Sequence, residues 1–443
     1  MEIQLSDKFN YRRLLRFVFP SIVMMIFTSV YGVVDGLFIS NYVGSTGFAG
    51  VNLIMPYVMM LSSLGFMIGT GGSALVGMVL GQGDKEKANR IFSLLVYFAI
   101  AVGVVLSVVG QACLVPIAKS FGAEGELLEY CITYGRIAFL TTPAYMLQYL
   151  FQSLTVTAEK PRLGLAVTVI AGCTNIVLDF LFVGVFGWGV DGAAWATAFS
   201  ELLGGGIPLI YFIMPNNSLL RVGKPEKNLR YLIKTCTNGS SEFMTNVSIS
   251  LVNMVYNYQL MRMISEDGVA AYGVIMYVNF IFIASYVGYS MGSAPIVSFK
   301  LGAEDYDELK GLFKKSLTII SVLAVVMLAA GQILAAPLSK IFVGYDESLY
   351  EMTKHAFRLY ATNYVIAGFN IFSSAFFTAL NNGLISALIS FLRVLLFQIS
   401  AVLILPEIIG LNGIWIAMTV AEACSLIVSV ICLYRHRNVY HYI

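Results

Sequence analysis

From Phe17 to Val34 the chain carries no charged side chain, and the run ends on a lone acid, Asp35. A helix of about twenty mostly apolar residues is long enough to cross a bilayer. Arg12, Arg13 and Arg16 open the run, and nothing close to Asp35 in sequence neutralises it. A charge at the membrane centre costs roughly 2.5–3.5 kcal/mol on insertion scales, so an isolated intramembrane acid marks a functional site by default. The competing reading is an acid near the outer helix end reaching for water, which the short aspartate side chain does poorly.

Composition extends this reading to the whole chain. Hydrophobic residues make up 58% and charged residues 12% of 443 positions, about half the charged share of a soluble domain. The class is an all-α integral membrane protein. A net charge of +2 gives no electrostatic reason for a nucleic-acid partner. The six cysteines have no CxxC spacing, which argues against a disulfide framework or a zinc site. Only Cys113 and Cys131, at neighbouring helix ends, are placed to meet. No cleavable signal peptide is expected, because the first apolar run is full length and lacks an A-x-A exit.

Hydropathy predicts twelve spans, at 12–40, 47–80, 88–112, 127–156, 162–186, 190–214, 232–262, 268–299, 312–334, 350–379, 384–406 and 411–434. An internal amino terminus puts 21 of the 27 Lys and Arg on the cytoplasmic side. The positive-inside rule then predicts a multi-pass protein of the bacterial inner (plasma) membrane with both termini cytoplasmic.

A repeat recurs at a constant offset of 221 residues. Gly81 and Asp84 of LGQGD return as Gly302 and Asp305 of LGAED. Gly71 returns as Gly292, Thr157-Ala158 as Thr378-Ala379, Gly189-x-x-Gly192 as Gly410-x-x-Gly413, and Glu201 as Glu422. Six helices per half give both halves the same orientation, related by a pseudo-two-fold axis along the membrane normal. The expected organisation is an amino-terminal lobe (1–215), a basic cytoplasmic linker (216–231) and a carboxy-terminal lobe (232–443).

Enzyme motifs are missing. No G-x-x-x-x-G-K-[ST] loop occurs, and His355, His436 and His441 include no pair at metal spacing on one helix face. Gly65-x-x-x-Gly69 and Gly77-x-x-x-Gly81 read as close helix packing. No resident cofactor is expected. In the fifth span Asn175 and Asp179 are four apart and share a helix face, at about the depth of Asp35. In the sixth, Thr197 lies slightly deeper. Two carboxylates, an amide oxygen and a hydroxyl form a hard-oxygen set that suits a small cation or a shared proton.

VFPSI followed by VVDGLFIS, LGQGD after the second helix, N-x-x-x-D in the fifth and GAAWAT in the sixth together resemble the multidrug and toxic compound extrusion (MATE) family, prokaryotic type. The resemblance spans the whole chain. It implies two six-helix lobes forming a V and alternating access driven by H⁺ or Na⁺. It also implies a cation site at Asp35, Asn175, Asp179 and Thr197, where Na⁺ is possible, and a bending proline at Pro20, where the broken backbone ladder makes a kink plausible. Glu242 in NGSSEFMTN corresponds to a glutamate that some members use for coupling. The partner acid those members carry in the tenth helix is not evident in LYATNYVIAGFN. Pairing with Asn246 is the alternative for Glu242. Glu201 is either a relay one turn from Thr197 or a structural acid, and Glu422 is expected to pair with Arg393.

The transported molecule should meet aromatic and methionine surfaces, which accommodate cations and varied shapes. Tyr145 with Tyr149, Tyr277 with Phe280 and Tyr286 with Tyr289 share helix faces, and Met55 and Met276 add flexible surface. Taken singly, each is more often ordinary core or lipid-facing packing. The expected function is antiport of amphipathic, cationic small molecules by a monomer whose only other partner is membrane lipid. The alternatives are a flippase for a lipid-linked saccharide and, in a different class, a passive channel or receptor.

Overall fold

A computed structural model describes residues 3–264 and 266–443. Among these residues the chain is helical and without strands, and nine helices are long and apolar enough to cross a membrane. Three further crossings complete the twelve expected from sequence. Two are broken helices: α4 (Gly125–Leu140) continues as α5 (Thr142–Thr157), and α11 (Glu347–Tyr360) continues as α12 (Tyr364–Ala379). The third is α8 (Arg230–Met263), whose NGSSEFMTN stretch lowers its hydropathy.

The first lobe begins with α1 (Tyr11–Tyr42), α2 (Ser45–Gly81) and α3 (Lys85–Ser120). After α4 and α5 it ends with α6 (Pro161–Asp179) and α7 (Gly189–Ile213). The second lobe starts with α8 and adds α9 (Glu266–Gly302) and α10 (Tyr306–Val343). Beyond α11 and α12 come α13 (Gly383–Ser390), α14 (Gln398–Ile409) and α15 (Leu411–Tyr440). The segment between lobes is 214–229. Turns of π-helix at 180–185 and 391–397 sit in the fifth crossing of each lobe.

The 221-residue register is visible in local structure. The two breaks fall at Thr141 and at 361–363. In the first lobe Pro143 starts the new helix, and a proline is well suited to a first helical turn. The second lobe has no proline there. In both, a glycine on the third helix receives the bend: a Cβ on Gly110 would collide with Phe139, and one on Gly331 with Ala361. LGQGD and LGAED are equivalent turns. Gly83 and Glu304 take positive φ, 84° and 56°, and Asp84 and Asp305 cap the following helices by accepting from Lys87 N (3.0 Å) and Glu308 N (3.3 Å).

Where the lobes meet, the symmetry becomes reciprocal contact. A Cβ on Gly81 would strike the Phe299 carbonyl, and one on Gly302 would strike the Met78 carbonyl. Gly71 lies against Thr235 and Gly239, and Gly292 against Val18 and Ser21. Residue i touching j while the counterpart of j touches the counterpart of i is the signature of a two-fold axis. These approaches fall in the half holding the starts of α1 and α8 and the ends of α2 and α9. Toward the other end, Met59 of α2 and Met254 of α8 are exposed.

Each lobe is also braced by the other's leader. Residues 3–10 bury Leu5 and Phe9 in the core of the second lobe. Phe9 N donates to Glu308 (2.7 Å) and Lys300 Nζ to the Ser6 carbonyl (3.0 Å), while Leu5 N ties the leader to its own lobe through Glu159 (2.5 Å). The segment before α8 does the converse on α3 of the first lobe. There Arg221 N donates to Asn89 (2.6 Å), Gly223 N to Ser93 (2.8 Å) and Glu226 N to the Arg90 carbonyl (3.0 Å).

Candidate functional site

Three helices of the first lobe, α1, α6 and α7, bring Asp35, Asn175, Asp179 and Thr197 together. Asp35 and Asp179 face each other within hydrogen-bonding reach. Two carboxylates are both acceptors, so a proton or a cation between them would relieve their repulsion. Asn175 Nδ2 donates to Thr197 Oγ1 at 3.4 Å, which leaves the amide oxygen free. Asp35 Oδ1, Asn175 Oδ1 and both oxygens of Asp179 are enclosed and, among the described residues, have no hydrogen-bond partner. Buried polar atoms are normally satisfied. Four orphaned oxygens of this kind make a donor set for a hard monovalent ion or a proton. Among the described residues no three His, Cys, Asp or Glu side chains converge as a metal site would need.

The end of α6 explains the placement. Its i, i+4 spacing puts Asn175 and Asp179 on one face, both buried. The π-helical turn at 180–185 follows Asp179 directly, and such turns recur at functional sites.

The surrounding shell is one that sequence inspection did not single out. Tyr134 is buried beside Thr197. Gln148 Nε2 donates to Tyr31 Oη at 3.4 Å. Thr141, at the α4–α5 break, donates to Glu201 Oε2 at 2.6 Å. Glu201 is thus a buried acid with a hydroxyl partner, one turn below Thr197. Gln148 and Gln152 line a small hollow with Thr155 and Thr168, and among the described residues neither the nitrogen nor the oxygen of the Gln152 amide has a partner. Local sequence carries no sign of these pairings, because they join helices far apart in the chain.

The proposed aromatic faces divide. Tyr145 and Tyr149 form a pair, with hydroxyls 3.1 Å and ring centroids 4.9 Å apart. Tyr149 packs edge-on against Phe66, beside Met24 and Met291 where the lobes converge. Tyr277 and Phe280 are exposed, with Tyr277 stacked near Phe342. Met276 accepts from Tyr360 and Met55 packs partly buried in the first lobe. Tyr286 and Tyr289 do not line a cavity. Both are fully buried and tied down, to the Tyr364 carbonyl and to Ser316 respectively, at 2.8 Å each.

The second lobe repeats the framework without the acid pair. At the offset of 221, Tyr256 stands for Asp35 and Ser400 for Asp179. Arg393 takes the place of Gly172 and grips Glu422 through Nη2 at 2.7 Å and Nε at 2.8 and 3.0 Å. Asn370 donates to Glu422 at 2.7 Å and accepts from Ser429 at 2.9 Å. The expected Arg393–Glu422 pair therefore forms. At Glu242, Asn246 donates to the backbone carbonyl at 2.8 Å, an intrahelical bond, and the buried carboxylate lies within electrostatic reach of Arg393. Cys113 and Cys131 are both free thiols, and the Cys131 thiol donates to the Gly50 carbonyl. Pro20 lies buried within α1.

With this geometry in view, comparison with known proteins is specific. The MatE family model matches residues 20–181 and, again, 243–404. The chain is 21% identical over 435 residues to the multidrug export protein MepA of Staphylococcus aureus (strain MRSA252), covering 97% of this chain and 94% of that protein. It is 22% identical over 440 residues to MepA of Staphylococcus haemolyticus. Its fold superposes with a TM-score of 0.93 on an outward-facing multidrug resistance MATE family transporter of the MOP superfamily, at 20% identity and with 100% and 99% of the two chains covered.

Proposed function

Because the chain belongs to the MATE family of membrane transporters, we propose that it exports amphipathic, cationic small molecules in exchange for H⁺ or Na⁺. The observation that carries this reading is the facing pair Asp35–Asp179 with four orphaned oxygens inside the first lobe. An ion or proton entering there satisfies atoms that are otherwise unpaired, so its occupancy changes the energy of one lobe conformation relative to another. Coupling needs that differential affinity.

The two lobes touch at the end where α1 and α8 begin, which the distribution of Lys and Arg assigns to the cytoplasm. The site then opens to the outside, with the Tyr145–Tyr149 pair and the methionines at the convergence of the lobes as the surface a drug cation would meet. Thr197 and Asn175 orient the acids, Glu201 holds or passes a proton one turn deeper, and Pro20 allows α1 to bend. Both termini are cytoplasmic, and the protein works as a monomer.

The test is reconstitution in liposomes with an imposed pH gradient or Na⁺ gradient, following efflux of ethidium. Efflux driven by either gradient and lost in Asp35→Asn supports the antiporter and names its ion. Efflux at the wild-type rate in Asp179→Asn sinks the site assignment. Absence of ethidium movement under both gradients turns the search to lipid-linked saccharides.

A further inference from the structure

A groove of about 830 Å³ runs between α1 and α6 on the outer surface of the first lobe. Its wall is apolar, made by Leu15, Phe19 and Pro20 on one side and by Leu165, Ala166, Val169 and Ile170 on the other. Phe19 is 62% exposed and Ile170 47%. Two cations complete the lining, Arg16 in the first turns of α1 and Arg162 in the first turn of α6. Among the described residues neither guanidinium has an ion-pair or hydrogen-bond partner.

We infer that this groove binds an anionic phospholipid, its phosphate held between Arg16 and Arg162 and an acyl chain lying along Phe19, Ala166 and Ile170. The chemistry matches at both ends. Guanidinium groups are suited to bidentate contact with phosphate, and basic pockets between transmembrane helices at the cytoplasmic boundary recognise lipid headgroups. The apolar wall needs a hydrocarbon partner in place of water.

The position of Arg16 gives the lipid a lever. Pro20 has no N–H, so the carbonyl of Arg16, four residues back, lacks its helical partner. The residue that grips the phosphate is therefore the one at which the α1 ladder is interrupted, and an occupied groove restrains the bend.

The experiment is native mass spectrometry of the full-length protein in detergent, titrated with phosphatidylglycerol or phosphatidylcholine of the same acyl chains. Two arginines at a membrane surface support a phosphatidylglycerol preference on the order of tenfold. Loss of that preference is expected in Arg16→Gln/Arg162→Gln. The same loss is expected in Ala166→Trp, which keeps both charges and fills the groove. Arg221→Gln, in the interlobe linker, leaves it unchanged. Equal binding of the two lipids, a preference that survives either groove variant, or an equal loss in Arg221→Gln overturns the proposal. The readout is binding, so it stands or falls separately from ethidium export.

Discussion

Glu201 and Glu422 occupy equivalent places in the two lobes, yet one accepts a hydroxyl from Thr141 and the other a guanidinium from Arg393. The repeat has thus kept a buried acid in both halves and given it opposite surroundings. In the second lobe a fixed cation is already present. Among the described residues no cation pairs with Glu201, and beside it lie two further acids with unpaired oxygens. On the proposed reading, that difference assigns cation uptake and release to the first lobe.

Replacing Asp179 by Asn removes one of two facing carboxyls and leaves a side chain of the same shape. Transport under an ion gradient is expected to fall at least about tenfold, while the melting temperature in detergent stays at or above wild type, because like charges at close range oppose folding. Efflux and thermal melting on one preparation check both halves. A melting temperature lowered along with efflux contradicts the prediction.

Arg393→Met leaves Glu422 buried without a counter-ion, held only by Asn370. Removing one partner of a buried pair costs about 3–5 kcal/mol, so a marked loss of melting temperature or of folded yield is expected. Arg393→Met/Glu422→Gln should recover most of it. A single variant as stable as wild type would show that the pair contributes nothing.

Leu5→Ala/Phe9→Ala empties two fully buried positions in the leader brace. Large-to-small changes at such sites cost about 2–5 kcal/mol each, and here the loss falls on contacts that join the lobes. Faster alkylation of a cysteine placed at Ser298, buried against the opposite lobe, is the expected outcome. An unchanged rate would mean that the brace does not hold the two lobes together.

Gly81→Val puts carbon where the Phe299 carbonyl stands. The ends of α2 and α9 must separate, so spin labels on Lys85 and Asp307 should report a longer distance than in wild type. An unchanged distance with unchanged stability would refute the tight approach.

The spans, the offset of 221 residues and the oxygen set were legible because each is a local pattern: length, register, or a spacing of four. Thr141 is a partial case. Its following Pro143 announces a helix start, but the equivalent break at 361–363 has no such residue and is set by packing against Gly331. The π-turns leave no mark in hydropathy. Tyr31, Tyr134 and Gln148 were missed because aromatic and amide residues on apolar helices usually pack or bond locally, and their partners lie on other helices. Tyr286 and Tyr289 were misplaced for the same reason: a shared face says which side of a helix a ring is on, without saying what covers it.

The glycines at the ends of α2 and α9 impose a mechanical constraint. A helix of 37 residues is ~55 Å long. If the touching ends act as a fulcrum, a tilt of about 10° moves the far end by roughly 10 Å, while the ends themselves scarcely move. Gly81 and Gly302 would then serve as a bearing for the outer mouth, and reversal of access would need that bearing to be released together with both leaders.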